Sequence, residues 1–335
     1  MTLLAVTAGT VLFASVAVAP PSGAEGDRTC QGKTVTIFAG PVVASHYVGG
    51  TGGDDVILAT GGGHFIFAGG GDDTICSVTE PNRGDFVDGG PGNDAIVAGD
   101  GDDELDGGDG VDRIHGGAGD DDLRAGDGLW WQANDGDTRV FNLLQGGEGN
   151  DRLYGGDDYD VLQGGDGIDL LDGGGDADVL SGDGGEDYLR GGTAYDILFG
   201  GDDSDVLQGN DGPDTIYGDG GDGEVGADVV EGGGGEDIVY GGPGDDKAYG
   251  NEGGDRMLGE GGSDLLQGGD GHDGKLDGGP GDDRIYGGTG LDHLYGSAGD
   301  DYLNGDEGVL DDGDGGTGRD RCVSIPRQRK SNCES

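Results

Sequence analysis

From Asp151 to Asp214 an aspartate recurs every nine residues, and a large aliphatic residue follows each one two positions later. The aspartates are Asp151, Asp160, Asp169, Asp178, Asp187, Asp196, Asp205 and Asp214. Their partners are Leu153, Leu162, Leu171, Leu180, Leu189, Leu198, Leu207 and Ile216. A fixed short period constrains a chain severely, because one small unit must stack on copies of itself. The unit reads GGxGxDxUx, with U a large apolar residue, as in Gly146 to Tyr154 and Gly287 to Tyr295.

The phase begins at Asp55 and runs through His64 and Asp73, breaks over residues 77–83, and resumes at Asp85, Asp94, Asp103, Asp112 and Asp121. A second break, 125–141, contains Trp130 and Trp131, after which Asn142 restores the phase. A third break at 219–227 precedes Asp228, Asp237, Asp246, Asp255, Asp264 and Asp273. A one-residue slip near Gly274 leads to Asp283, Asp292 and Asp301, and a degenerate unit around Leu310 precedes Asp320 and Cys322.

Glycine pairs interrupt any helix within two turns, so the units are expected to be short strands of about three residues joined by glycine turns. Side chains alternate across a strand, which sends U inward and its neighbours outward. One leucine or isoleucine per unit makes no core alone, so neighbouring turns must stack. With two units per turn, residues eighteen apart share an edge. Asp151, Asp169, Asp187 and Asp205 then line one edge, and Asp160, Asp178, Asp196 and Asp214 the other.

Composition sharpens the problem. The chain has 335 residues, 86 of them glycine, only 32% hydrophobic, with a formal charge of -53. Such a chain is either disordered or folds only when cations neutralise it. Polyanionic nucleic acid is not expected as a partner, because its charge has the same sign. Stacked carboxylates and loop carbonyls form a dense array of hard oxygen donors, which selects Ca²⁺ over Mg²⁺, and binding then becomes folding free energy.

These features resemble the repeats-in-toxin (hemolysin-type) calcium-binding proteins over roughly Gly50 to Asp320. The resemblance implies an all-β parallel β-roll, a solenoid of nonapeptides with glycine-rich calcium loops. It implies many Ca²⁺ ions held between successive loops by the motif aspartates and loop carbonyls. The metal residues expected are the phased aspartates: Asp55, Asp73, Asp85, Asp94, Asp103, Asp112, Asp121, the eight from Asp151 to Asp214, and the nine from Asp228 to Asp301. His64 and Asn142 occupy aspartate slots, which puts those two sites in doubt. The fourth-position glycine becomes Asp158, Asp176 and Ala194 in three units of one edge. Calcium is therefore expected to bind more weakly along Asp160–Asp178–Asp196 than along Asp151–Asp169–Asp187.

The two ends differ from the repeats. Residues 1–24 carry no charge, and the apolar Leu3 to Ala19 is followed by small residues at Ser22-Gly23-Ala24, the pattern of a signal peptide cleaved before Glu25. Residues 25–49 are read as a non-repetitive cap with short strands at Val35–Phe38 and Pro41–Val43, 50–321 as the roll, and 322–335 as a C-terminal tail. Four cysteines suit an oxidising compartment and allow three pairings. Cys30–Cys76 and Cys322–Cys333 are expected, each fastening one end of the roll.

No HExxH or GxSxG motif occurs, so the expectation is a non-enzymatic, exported calcium-binding protein with a structural or adhesive role. The alternative is an extracellular polymer-acting enzyme or glycan-binding protein that uses the roll as scaffold. Trp130 and Trp131 are read either as a lid over the apolar stripe or as a contact for an extracellular glycan or cell-surface partner. The ninth-position tyrosines are expected to stack on the sheet surface, and the five histidines to be solvated.

Overall fold

The computed structural model describes residues 6–7, 10–11, 29–39, 47–78, 83–126, 141–219, 225–306, 311–326 and 330–334. All regular structure among them is β-strand; none is helix. Val6–Thr7 and Thr10–Val11 pair antiparallel, and the remainder of the leader read for residues 1–24, like Pro41–Val43 and the Trp130-Trp131 pair, lies outside the described residues. The repeats divide into two compact units, the first ending at Asp178 and the second beginning at Val179.

In the first unit two rows of parallel strands alternate along the chain. Strands Val56–Thr60, Thr74–Val78, Ala95–Val97, Arg113–Ala118, Asn142–Glu148 and Asp160–Asp166 pair in one row. Strands Tyr47–Thr51, Phe65–Gly69, Phe86–Asp88, Glu104–Asp106, Asp122–Arg124, Arg152–Gly156 and Leu170–Gly174 pair in the other. The second unit repeats the arrangement from Val179–Gly184 and Tyr188–Thr193 onward. This is a parallel β-solenoid with two nonapeptides per turn.

Register follows the motif. Leu153 stands beside Leu171, and Val239 beside Met257, so the apolar slots form continuous columns. Leu153, Leu171, Leu189, Leu207, Val239 and Met257 are wholly buried. Burial of each such side chain stabilises by about 1.5–3 kcal/mol. The strands are longer than the three residues expected. Ile238–Pro243 spans six because the ladder continues through the glycine pair, with Gly242 beside Glu260.

The three phase breaks are insertions that the stack spans. Asp121 N–H donates to Asp151 thirty residues on, and Asp214 N–H to Asp237 twenty-three residues on, at the same 2.7–2.8 Å found between perfect repeats. The expected disulfides form, Cys30–Cys76 and Cys322–Cys333. Phe199, Tyr217 and Tyr240 stack with centroids 5.0 and 4.8 Å apart, the outward role read for the tyrosine column.

The last turns carry a device with no counterpart in the repeats. Gly313 occupies an apolar slot beside Leu294, and a Cβ there would collide with Ile325 Cδ1. The tail thus supplies the side chain that the degenerate unit lacks, and Ile325 is buried.

Candidate metal centre

Every phased aspartate is buried among strands, none more than 7% exposed. Two continuous files run through each unit. In the first unit, Asp55 N–H donates to Asp73 Oδ1, Asp73 N–H to Asp94, and Asp94 N–H to Asp112. The companion file runs from His64 through Asp85, Asp103, Asp121 and Asp151 to Asp169. In the second unit one file links Asp187, Asp205, Asp228, Asp246, Asp264, Asp283, Asp301 and Asp320. The other links Asp196, Asp214, Asp237, Asp255, Asp273, Asp292 and Asp311. Asp160 and Asp178 close the remaining file of the first unit. Residues eighteen apart do share an edge, and the slip at Gly274 simply lengthens two links to nineteen.

Each link uses one carboxylate oxygen. The other is left over. Oδ2 of Asp73, Asp103, Asp151, Asp214, Asp246 and Asp273, with most of their column neighbours, is buried and accepts no hydrogen bond. An ionised carboxylate so placed costs several kcal/mol unless a cation or proton meets it. The space beside Oδ2 is shaped by the first glycine of the motif. A Cβ on Gly146 would collide with Asp151 Oδ2 and sit against the Gly164 carbonyl oxygen. The same pairing recurs at Gly116 with Asp121 and Gly146, and at Gly250 with Asp255 and Gly268. Only glycine leaves this cradle of one carboxylate and one carbonyl open.

Among the described residues no three His, Cys, Asp or Glu side chains converge on one point. The groups around each first glycine are oxygens only, from motif carboxylates and backbone carbonyls. That hard, all-oxygen donor set suits Ca²⁺ and not Zn²⁺. The residues present therefore fit calcium.

Electrostatics agree. Burial, with repulsion from column neighbours added to it, pushes the Asp205 carboxyl up to about 9. It pushes Asp112, Asp121 and Asp214 to about 8, and Asp103, Asp228, Asp246 and Asp264 to about 7. Without a cation the files hold protons near neutral pH.

Several positions differ from expectation. Asp55 Oδ2 accepts from Thr51 N–H at 2.7 Å and from the Thr51 hydroxyl at 2.8 Å. Asp85 is taken up by Ser77 Oγ on one oxygen and His64 on the other. Both were expected as metal ligands, yet local donors already satisfy them. His64 is buried rather than solvated, because its ring fills the aspartate slot and meets Asp85 Oδ1 at 3.3 Å. His115 is partly buried, and burial lowers its pKa. Asn142 is a neutral splice: its Oδ1 accepts from Asp112 N–H and its Nδ2 donates to Asp160 Oδ1. In the fourth-position column Asp176 and Ala194 adopt left-handed φ of 60° and 86°.

Two features escaped the sequence reading. Asp311 belongs to the file although its unit is degenerate, its apolar slot being Gly313. A second, outer ladder also runs from the residue just before several of the motif aspartates. Asp54 Oδ1 accepts from Asp72 N–H, Asp72 from Asn93, Asn93 from Val111, and Asp282 from Asp300. Its direction is opposite to the inner file. The visible signal was the frequency of Asp, Asn and Ser at that position, as at Asn150, Ser204 and Asp245.

A parallel β-solenoid with files of buried, incompletely paired aspartates defines a class of cation-bound repeat proteins. The family model for the RTX calcium-binding nonapeptide repeat matches residues 49–77, 82–114, 141–162, 163–198, 199–222, 222–248, 249–273 and 277–309. These cover well over half of the chain, which therefore belongs to the RTX calcium-binding nonapeptide repeat family and is a calcium-binding β-roll. No curated protein matches the chain.

Proposed function

We propose that this chain is an exported, non-enzymatic protein whose roll becomes ordered as many Ca²⁺ ions bind, and that it serves a structural or adhesive role outside the cell. The observation that carries the reading is the repetition of buried Oδ2 atoms that accept no hydrogen bond. When bound, calcium supplies positive charge between like-charged carboxylates that otherwise repel. The chain's own residues do the rest. The motif aspartates and first-glycine carbonyls present oxygen, the glycines keep the cradle open, and the leucine columns hold successive loops in register. Export is supported by the uncharged apolar leader before Glu25 and by two disulfides.

Far-UV circular dichroism of chelator-stripped protein during calcium titration tests the central claim. A cooperative gain of strand signal is expected at micromolar to millimolar calcium. No gain up to several millimolar rejects it. The adhesive part assigns Trp130 and Trp131 to an extracellular glycan, and a glycan array on which W130A/W131A binds as wild type does removes that part.

A further inference from the structure

On a chain of formal charge -53, a sheet face that carries cations and no acids stands out. In the second unit, strands Lys247–Glu252, Leu265–Asp270, Arg284–Thr289, Tyr302–Asn304 and Arg321–Val323 pair in one row. The second residue of each strand, Ala248, Leu266, Ile285, Leu303 or Cys322, is buried, so the first and third point outward. None of those outward residues is acidic.

Lys247, Leu265, Arg284, Tyr302 and Arg321 stand in register, so a cation recurs on every second strand. All three cations are exposed, and Lys247 and Arg284 form no ion pair among the described residues. Arg321 Cζ lies 5.6 Å from the Tyr302 ring centroid, and that ring meets Tyr286 at 5.8 Å. Tyr249 adds a third, half-buried ring and Gln267 an exposed amide. The companion row over the same turns answers its cations with acids. There Lys275 pairs with Asp277 at 2.7 Å, His293 stands beside Asp312, and Tyr295 beside Asp314.

Neighbouring strands lie about 4.8 Å apart, which sets the cations about 9.6 Å apart along the row. That spacing is close to the length of two sugar units in an extended polysaccharide. It is far too sparse for duplex nucleic acid, which carries one charge per about 1.7 Å. Tyrosine rings offer an apolar face to the C–H side of a sugar and a hydroxyl to its rim. The acidic loops oppose any polyanion, but screening confines that opposition to about 8 Å at physiological ionic strength, and bound Ca²⁺ reduces it further.

We propose that this face binds an acidic polysaccharide with a uronate on alternate sugars, laid across the strands so that Lys247, Arg284 and Arg321 each meet one carboxylate. The inference rests on the adhesive reading above and on a calcium-loaded roll, and it is independent of Trp130 and Trp131.

The test is calorimetric titration of the calcium-loaded full chain with hyaluronan oligosaccharides, whose uronate falls on every second sugar, and with their carboxyl-reduced counterparts. The wild type binds the former, and the reduced form binds about ten-fold or more weakly. R284Q weakens binding about three-fold and K247Q/R284Q/R321Q about ten-fold or more, the range of exposed charge pairs. R256Q, which removes an exposed cation of the companion row, leaves binding unchanged. Calcium-induced strand signal is recorded for every variant, and R284Q decides the outcome where the triple variant does not fold. Hyaluronan that does not bind, binds equally when carboxyl-reduced, or binds the neutralised variants as tightly as wild type overturns the proposal. Failure of this face alone leaves glycan binding that depends on Trp130 and Trp131, whereas failure of the adhesive reading leaves no glycan bound at all.

Discussion

The turns between Tyr47 and Val97 and those between Val229 and Ala298 share a backbone plan and differ in what holds it. In the first, apolar residues fill more than the motif slot: Ile57, Leu58 and Ala59 are all buried on one strand. Tyr47, Phe65, Phe67 and Phe86 form an aromatic ladder with centroids 5.2–6.2 Å apart. Cys30–Cys76 ties the cap to strand Thr74–Val78, against Leu58. Asp55 and Asp85 have local donors from Thr51, Ser77 and His64. In the later turns one apolar side chain per unit is buried, and Asp237, Asp246, Asp255, Asp264, Asp273 and Asp283 all leave Oδ2 without a donor. In the first region protein groups thus complete Asp55 and Asp85 while Asp73 and Asp94 keep a donorless Oδ2, whereas in the later turns every one of these carboxylates calls for a cation.

Calcium removal gives the largest expected contrast. Hydrogen exchange in excess chelator should show Val229–Ala298 amides losing protection while Val56–Val78 keeps it. Uniform loss along the chain at a single calcium concentration breaks the comparison. The protection of the early turns should in turn depend on the disulfide. C30A/C76A is expected to destabilise them by about 2–5 kcal/mol in denaturant melts performed without calcium. At the far end, I325A empties the space over Gly313 and should cost about 2–4 kcal/mol in the calcium-loaded state. Its exchange signature should be confined to His293–Ala298 and Asp312–Asp314.

Acidity should separate the regions more gently. An unfolded aspartate titrates near 3.9. The ion-free folded files titrate at about 6 for Asp237 and up to about 9 for Asp205. Between those limits the folded form holds protons that the unfolded form lacks, so ion-free stability rises as pH falls from about 9 toward 4. With calcium present the sign reverses, because protons compete with the ion. Circular dichroism at pH 5 and pH 8, with and without calcium, checks both directions. A pH response of the same sign in both states contradicts the argument. The smallest change expected is A194G, which relieves a left-handed alanine and should stabilise the loaded second unit by about 1 kcal/mol. Unchanged melting would show that φ of 86° is already accommodated.

Much of this was legible in the chain. Strict nine-residue spacing of aspartate and leucine, with glycine pairs between, leaves few alternatives to a two-unit turn, so the two aspartate edges and the apolar columns followed directly, whereas the hydrogen bonds that link each file did not. The outer ladder was written there too, in Asn93, Asn150 and Asp282, but a residue type merely frequent at a slot carries less signal than one that is nearly fixed. Asp311 was hidden because Gly313 stands where U should be, and a period is recognised by both of its marks.

The sequence by itself determined the fold, the family and the all-oxygen chemistry, because a repeat specifies its own neighbours. Tertiary structure decided which carboxylates are already satisfied. Thr51, Ser77, His64 and Asn142 are not part of the motif, and only their positions against Asp55, Asp85 and Asp160 show that they complete a file. It also decided that Ile325 fills a slot in another unit and that Asp219 turns toward Gly242. Such contacts depend on three-dimensional proximity between residues at irregular spacings, which no period encodes.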